Sequence, residues 1–213
     1  KHLHAEKTSY VQGVGVDISR FSKSATTPPQ TLRKELGIPE NAFTVITVGE
    51  LSARKNQRVI LQAIARSKRE IHYILAGFGQ EEHYLCQLAD ETGIADRVHF
   101  LGYRSDVADL YHYADLFCFP SFHEGLSLSL MEAMAGGLPV LCSDIRGNRD
   151  LIINGEGGFL YAPRDVSAFT QGLITLMDDP SLRTRFSAFN SERVKTFSLE
   201  AVREKMRGIY REI

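Results

Sequence analysis

One stretch in the middle of the chain constrains the fold more than any other. Residues Asp115 to Pro120 are nearly all apolar, which predicts a buried parallel strand. Strong helix formers follow from Leu130 to Ala135 and stop at Gly136. Between them Gly125 permits a turn, and the next serine can cap the helix. A helix start of this kind presents unpaired N–H groups at its positive end, so the stretch predicts a site for an anion, usually a phosphate.

Two acidic residues flank this predicted site. Glu124 lies in the loop beyond the strand, where open α/β sheets bind ligands. Glu132 follows the apolar face of the helix, so we expect it to be at least partly buried and to need hydrogen-bond donors or a charged partner. Ribose hydroxyls or a lysine would satisfy it, and the alternative is that it caps a neighbouring loop.

Length and composition narrow the class of protein. The chain has 213 residues, 43% of them hydrophobic and 24% charged, and a formal net charge of −1. These values fit an ordinary globular chain, and they give no strong field for nucleic acid or a membrane surface. The three cysteines lie within apolar patterns, which predicts packed, reduced thiols and a cytoplasmic location.

Strand and helix patterns alternate along the rest of the chain. Strands are predicted at 44–48, 72–76, 98–101, 115–120, 140–142 and 158–161, and helices at 32–36, 56–67, 81–92, 106–113, 130–135, 166–177, 181–194 and 199–212. This alternation predicts an α/β fold with a Rossmann-like, doubly wound and mostly parallel sheet. Residues 18–31 are rich in Ser, Thr and Pro and predict an exposed connector.

The carboxyl ends of these strands should lie on one edge, at Gly49, Gly77, Gly102 and Pro120. Arg54 and Lys55 follow the first of them, directly before a helix, and suit the diphosphate of a nucleotide. The alternative is a solvated pair of basic residues.

The loops after the second and third strands are less specific. Gly77 and Gly79 open like a dinucleotide fingerprint, but Glu82 stands in the place of its third glycine, so NAD is not expected. These glycines either let the backbone approach a ligand or make a tight turn. In the third loop Tyr103 or Arg104 could flank a base, and Asp106 is predicted to cap the following helix.

Other chemistry is not indicated by the sequence. We find no Walker A loop, no metal-ligand spacing and no nucleophile elbow, so no metal site is predicted. His123 could touch a ligand or be an ordinary polar loop residue. Asp144, Arg146 and Asn148 follow the next strand, and their residue types alone decide nothing.

Several segments together resemble the retaining glycosyltransferases of GT-B fold, and within them the large family of bacterial polysaccharide and lipid-linked glycan transferases. The spacing of Glu124 and Glu132 resembles the Glu-x7-Glu motif of that family. Further similar segments are Val48–Leu51 leading to Arg54–Asn56, Leu75–Gly79, Phe100–Arg104, Ala135–Val140 and Gly155–Leu160. The resemblance runs from about Gly13 to the end of the chain.

The resemblance implies a nucleotide-sugar donor, most often UDP-linked, with no separate cofactor. It implies that Glu132 holds the ribose hydroxyls and that Lys55, with Arg54, holds the diphosphate. The implied catalytic residue is Glu124, which would lie against the transferred sugar. The remaining implied donor-binding residues are Gly79, Tyr103, Arg104, Gly125, Leu126, Ser127 and Leu128. Glu50 departs from the family pattern, because many members have an arginine there.

The resemblance covers only the C-terminal, donor-binding half of such enzymes. We therefore expect residues 1–31 to be a segment and connector from a missing acceptor domain, residues 32–213 to be the nucleotide-sugar-binding domain, and the isolated chain to be inactive. Tyr10 to Asp17 is expected to be a strand and turn of a longer protein. Association with the inner membrane face through the missing half, and dimerisation, stay open. The alternatives are half of a nucleotide-sugar epimerase or a non-catalytic nucleotide-binding module.

Overall fold

The computed structural model describes residues 8–9, 11, 13, 15–22 and 25–211. Over these residues the protein is built around one six-stranded parallel sheet. Its strands are β1 (Phe43–Val48), β2 (Ile71–Ala76), β3 (Val98–Gly102), β4 (Leu116–Phe119), β5 (Val140–Ser143) and β6 (Gly158–Tyr161). The predicted Rossmann-like α/β fold is thereby confirmed.

Helices connect the strands and close the chain. They are α1 (Ile18–Phe21), α2 (Pro29–Leu36), α3 (Arg58–Ser67), α4 (Glu82–Glu91), α5 (Val107–Tyr113), α6 (Leu128–Ala135), α7 (Arg146–Leu151), α8 (Val166–Asp178), α9 (Pro180–Arg193) and α10 (Leu199–Arg211). Short 3-10 helices span Ala95–Arg97 and Val194–Phe197. Within the part of the chain that is described, none of these helices has the length and apolar character needed to cross a membrane.

The order of the strands determines where a ligand can bind. Across the sheet they lie in the order β3-β2-β1-β4-β5-β6, so the winding reverses between β1 and β4. Since every pairing is parallel, the carboxyl ends share one edge, as the sequence predicts. The loops after β1 and β4 leave in opposite directions, and the crevice between them is where doubly wound sheets bind ligands.

Alternation of side chains along the strands divides the core into two layers. On one face Ile46 and Phe117 pack against helices that include α5 and α6. On the other, Val45 and Cys118 pack against α3, α4 and α8. Strands that are buried on both faces explain the nearly continuous apolar runs of the sequence.

Three segments of the chain differ from the sequence predictions. The predicted exposed connector at 18–31 is wrong in two places, since α1 buries Phe21 against the core and α2 already begins at Pro29. Helix α7 was not predicted. Of the strand expected at Tyr10 to Asp17, Val16 forms a single bridge with Ser198, whereas Tyr10, Gln12 and Val14 lie outside the described residues.

Candidate functional site

Side chains from the loops after β1 and β4 meet at the reversal point of the sheet. Oε1 of Glu124 lies 2.8 Å from Nη1 of Arg54 and 2.9 Å from Nζ of Lys55. The side chains of Glu124 and Lys55 are only 9% and 11% exposed. The Lys55 ammonium also lies 4.6 Å from the ring centre of Phe119, at the end of β4. The sequence predicted that these three charged residues share an edge, but it did not predict that they form ion pairs with one another.

Arg54 is the more exposed of the two cations and has further acceptors. Its Nη1 donates to the carbonyl oxygen of His123 at 3.0 Å, and its Nη2 lies 3.8 Å from Oε2 of Glu50. The carboxylate at position 50 therefore faces the cation, in the place where the resemblance leads one to expect an arginine. The alternative of a freely solvated Arg-Lys pair does not describe this loop.

The start of α6 lies directly after Glu124. Oγ of Ser127 accepts a hydrogen bond from the backbone N–H of Leu130, so the predicted capping serine is confirmed. The first-turn N–H groups of a helix have no partner inside the helix, and here they begin at the exposed Leu128. Open space surrounds Gly125, because a Cβ built there would meet nothing within 4 Å. Leu126 packs beside Gly13 instead.

Gly147 of α7 supports the loop from below. A Cβ at this position would lie 2.1 Å from the carbonyl oxygen of Gly125 and 2.6 Å from that of Glu124. Only a glycine allows the helix to approach this closely, so α7 determines how far the Glu124 loop stands above the sheet.

A cavity of about 460 Å³ opens above the ends of β1, β2 and β3, beside the β1 loop that carries Arg54 and Lys55. Its walls are formed by Val48, Gly49, Glu50, Ala76, Gly77, Phe78, Tyr103, Arg104 and Val107. The side chains of Phe78 and Tyr103 are 65% and 79% exposed. Two uncovered aromatic rings at a largely apolar cavity are suited to a flat ligand.

The glycines of the second loop have a packing role. A Cβ at Gly77 would lie 1.9 Å from the carbonyl oxygen of Gly49, and one at Gly79 would lie 2.1 Å from that of Leu51. Of the two readings left open by the sequence, the structure accounts for these glycines by backbone contact between the first two loops. Gly79 therefore has a structural explanation that requires no ligand.

Arg104 and Asp106 bind each other. The guanidinium donates to both carboxylate oxygens of Asp106, at 2.8 and 2.6 Å, and to Glu35 at 3.3 Å. Asp106 stands at the N-cap position of α5, as predicted, but its side chain makes no capping hydrogen bond. A charge-assisted bidentate pair is stronger than one bond to a neutral N–H. The Arg104 guanidinium lowers the pKa of the Asp106 carboxyl.

Glu132 is partly buried, as its place on the apolar face of α6 predicts. The hydroxyl of Tyr111 lies 3.1 Å from Oε2 of Glu132 and 3.1 Å from the carbonyl oxygen of Ser129. Burial raises the pKa of the Glu132 carboxyl, while the Tyr111 hydrogen bond and the charge of Arg20 oppose the rise. The carboxylate thus has one tyrosine donor, and acceptor capacity is left over.

The family to which this chain belongs follows from its sequence. The family described as "Glycosyl transferases group 1" matches residues 29–193. The chain is a member of this family. Among its relatives, the putative glycosyltransferase EpsD of Bacillus subtilis (strain 168) is 32% identical over 207 residues, which cover 96% of this chain and 54% of EpsD.

Several solved structures share the fold of this chain. Anabaena HepE in complex with UDP has a TM-score of 0.87 at 26% identity, covering 93% of this chain and 56% of HepE. HepE in complex with UDP-glucose gives a TM-score of 0.86 at 25% identity. A third structure is the C-terminal domain of the glycosyl transferase group 1 family protein LpcC from Francisella tularensis, with a TM-score of 0.73 at 21% identity. The match covers 85% of this chain and 97% of the LpcC domain.

The chain spans about half the length of EpsD and HepE. Because it also matches a separately solved C-terminal domain over nearly that domain's whole length, its fold corresponds to the C-terminal half of a GT-B glycosyltransferase.

Two further polar residues at this edge of the glycosyltransferase domain, Asp144 and Asn148, have structural partners. Asp144 forms an ion pair with Arg149 on the surface. Asn148 is fully buried and donates to the carbonyl oxygen of Ser143, so its side chain belongs to the core. Among the described residues, no three His, Cys, Asp or Glu side chains form a group that could hold a metal ion.

Two residues that shape the site were not found from the sequence. Tyr111 lies within a helical pattern that reads as ordinary core, and Gly147 stands in a segment that has no helical pattern. A signal exists only for Gly147, as a glycine next to a strand end. Its significance depends on a contact with residues more than twenty positions away.

Proposed function

We propose that this chain is the donor-binding domain of a retaining glycosyltransferase that moves a sugar from a nucleotide diphosphate to a glycan or lipid-linked acceptor. The observation that carries the proposal is the meeting of Arg54, Lys55 and Glu124 at the start of α6, beside an aromatic-rimmed cavity. Family membership and the UDP and UDP-glucose complexes of HepE support the same proposal.

In this proposal the diphosphate binds between the two cations and the helix start. Lys55 supplies a compact charge, Arg54 supplies paired N–H donors, and the amides of Ser127 and Leu128 face the phosphate oxygens. Both cations now contact Glu124, so the diphosphate takes over part of that contact when it binds. Glu124 is then left against the transferred sugar, where open space beside Gly125 gives the sugar room.

Glu132 is proposed to hold the ribose. A carboxylate accepts hydrogen bonds from two adjacent hydroxyls, and Glu132 has acceptor capacity left beyond Tyr111. The base is proposed to lie in the cavity, with Tyr103 or Phe78 against its face. Arg104 is proposed to line this cavity with its aliphatic part, since its guanidinium is held by Asp106 and Glu35.

The proposed chemistry is electrostatic. As the bond between sugar and diphosphate breaks, negative charge grows on the departing phosphate oxygens. Lys55, Arg54 and the helix amides are already placed around that charge, and donors that need no rearrangement stabilise a transition state most effectively.

We further propose that the isolated chain binds the donor and does not turn it over. Transfer brings an acceptor hydroxyl to the anomeric carbon while water is kept out. The edge of one sheet encloses the transferred sugar from one side only, and the chain spans about half the length of the relatives EpsD and HepE. The acceptor, the second wall and any membrane contact are proposed to belong to the other half.

Calorimetric titration with UDP and UDP-glucose tests the proposal. We expect binding by the parent chain and a loss of affinity of about tenfold to a hundredfold in Lys55→Ala, the scale of one charged hydrogen bond. Lys195→Ala is the matched control, because it removes a lysine whose ion pair with Glu192 is exposed at a remote site. No binding of either ligand, or equal affinity in Lys55→Ala, would contradict the donor site. Robust glycosyl transfer by the isolated chain would contradict the need for a second half.

A further inference from the structure

Asn56 has an unusual backbone conformation directly after the two cations. Its φ is +58°, in the left-handed region, and among the described non-glycine residues only Lys68 shares this feature, with φ +54°. The two differ in their surroundings. Lys68 is exposed at the far end of α3, whereas Asn56 is 3% exposed at the near end. A buried residue in this uncommon conformation is held there by its contacts.

The side-chain amide of Asn56 supplies those contacts. Its Nδ2 donates to the carbonyl oxygen of Pro120 at 3.0 Å and to that of Pro163 at 2.8 Å. Pro120 follows β4 and Pro163 follows β6, while Asn56 itself belongs to the loop after β1. One amide group therefore fastens three loops of the carboxyl edge together, and both of its N–H groups are used.

This residue type is the one that meets both requirements. Glycine adopts the left-handed region without cost but has no donor for the two carbonyl groups. Aspartate tolerates the left-handed region, but its carboxylate oxygens are acceptors and cannot bond to the two carbonyl oxygens, which are also acceptors. Asparagine tolerates it and donates twice.

The clamp lies next to the charged residues. The carbonyl oxygen of Arg54 accepts from the N–H of Phe122 at 2.8 Å, so the segment from Arg54 to Asn56 is tied to the β4 loop at both ends. Lys55 lies between these two ties, and its ammonium reaches Glu124 from there.

We infer that Asn56 is a positioning residue, which fixes the place of the Lys55 ammonium relative to the bound diphosphate by clamping the β1, β4 and β6 loops. The inference rests on the proposed function, since it concerns the same donor site. It adds a role for a side chain that faces away from solvent and contacts no ligand.

Comparison of UDP with uridine separates positioning from general stability. Uridine lacks the diphosphate, so in the proposed site its affinity depends on the cavity and on Glu132, and not on where Lys55 stands. We expect Asn56→Gly to weaken UDP binding about tenfold and to leave uridine binding unchanged. This variant keeps the backbone conformation and loses the two hydrogen bonds to the proline carbonyl groups, together with the one that the side-chain oxygen accepts from Arg58. Asn56→Asp, which keeps the shape and loses the donors, should behave in the same direction.

Lys68→Gly is the matched control. It makes the same change to glycine in the left-handed region at the opposite end of α3, so it should leave UDP affinity at the parent value. Equal UDP affinity in either folded Asn56 variant, or an equal loss for UDP and uridine, would overturn the inference. A parent chain that binds no UDP would instead refute the proposed function, so the two failures are distinguishable.

Discussion

Replacing Gly147 with alanine tests whether α7 sets the position of the Glu124 loop. The added Cβ would lie 2.1 Å from the carbonyl oxygen of Gly125, more than about 1 Å short of ordinary contact at 3.4 Å. Its φ is not left-handed, so the backbone itself accepts alanine. Helix propensity alone would make the variant more stable by about 1 kcal/mol.

Overlap with backbone atoms opposes that gain, because neither carbonyl group can rotate out of the way. Overpacking of this kind costs about 1–3 kcal/mol. Overlap with two backbone carbonyl groups places the cost at the upper end of this range, about 3 kcal/mol. After the gain of about 1 kcal/mol from helix propensity, we expect Gly147→Ala to lose about 2 kcal/mol in urea denaturation, with an unchanged m-value. The displaced loop should also separate Glu124 from Lys55 and change UDP affinity.

Gly208→Ala is the control for propensity. Gly208 lies inside α10, and a Cβ there would meet nothing within 4 Å, so the variant should gain about 0.5–1 kcal/mol. Opposite signs for the two substitutions are the expected result. A Gly147→Ala protein that is as stable as the parent, with the same UDP affinity, would refute the reasoning.

Three further predictions concern stability and pH. Tyr111→Phe removes the hydroxyl beside Glu132, so it should lower the free energy of unfolding by about 1 kcal/mol and raise the pKa of the Glu132 carboxyl further. Denaturation measures the first effect and NMR titration the second, and an unchanged pKa would contradict the contact. Burial and the neighbouring His72 lower the pKa of His99 to about 4. Because the unfolded chain takes up this proton first, stability should fall by about 2 kcal/mol as the pH drops from 6.5 to 4, and His99→Phe should flatten that decline. Lys68→Gly should raise stability by about 0.5–1 kcal/mol, because glycine accepts its left-handed φ; a lower denaturation midpoint would argue against strain there.

The strands and helices of the two layers were predictable because a strand that is buried on both faces of the sheet consists mostly of apolar residues. Strands such as Leu116–Phe119 read as uninterrupted apolar runs, and α8 shows helical spacing over thirteen residues. Helix α7 shows neither pattern. It has six residues, including Gly147 and Asn148, and exists because tertiary contacts hold a segment of poor helix propensity.

The sequence was sufficient to predict which residues of the candidate site lie near one another. It was not sufficient to predict which charged side chains form ion pairs. Strand ends indicate which loops share an edge, so Lys55 and Glu124 could be placed near each other. The partner of a charge depends on competition at short range. Asp106 had a backbone cap available, yet it binds Arg104 two positions away, because a guanidinium offers two charged donors. The outcome depends on the distances between side chains in the folded protein, which the sequence does not give.

The close approach of the first two loops has a mechanical consequence. The carbonyl groups of Gly49 and Leu51 fill the space where side chains at positions 77 and 79 would stand, and the N–H of Leu51 donates to the carbonyl oxygen of Phe78. The two loops therefore cannot shift independently. A ligand in the cavity that displaces one of these two loops must therefore displace the other as well. The β1 and β2 loops respond to a bound ligand as one rigid unit.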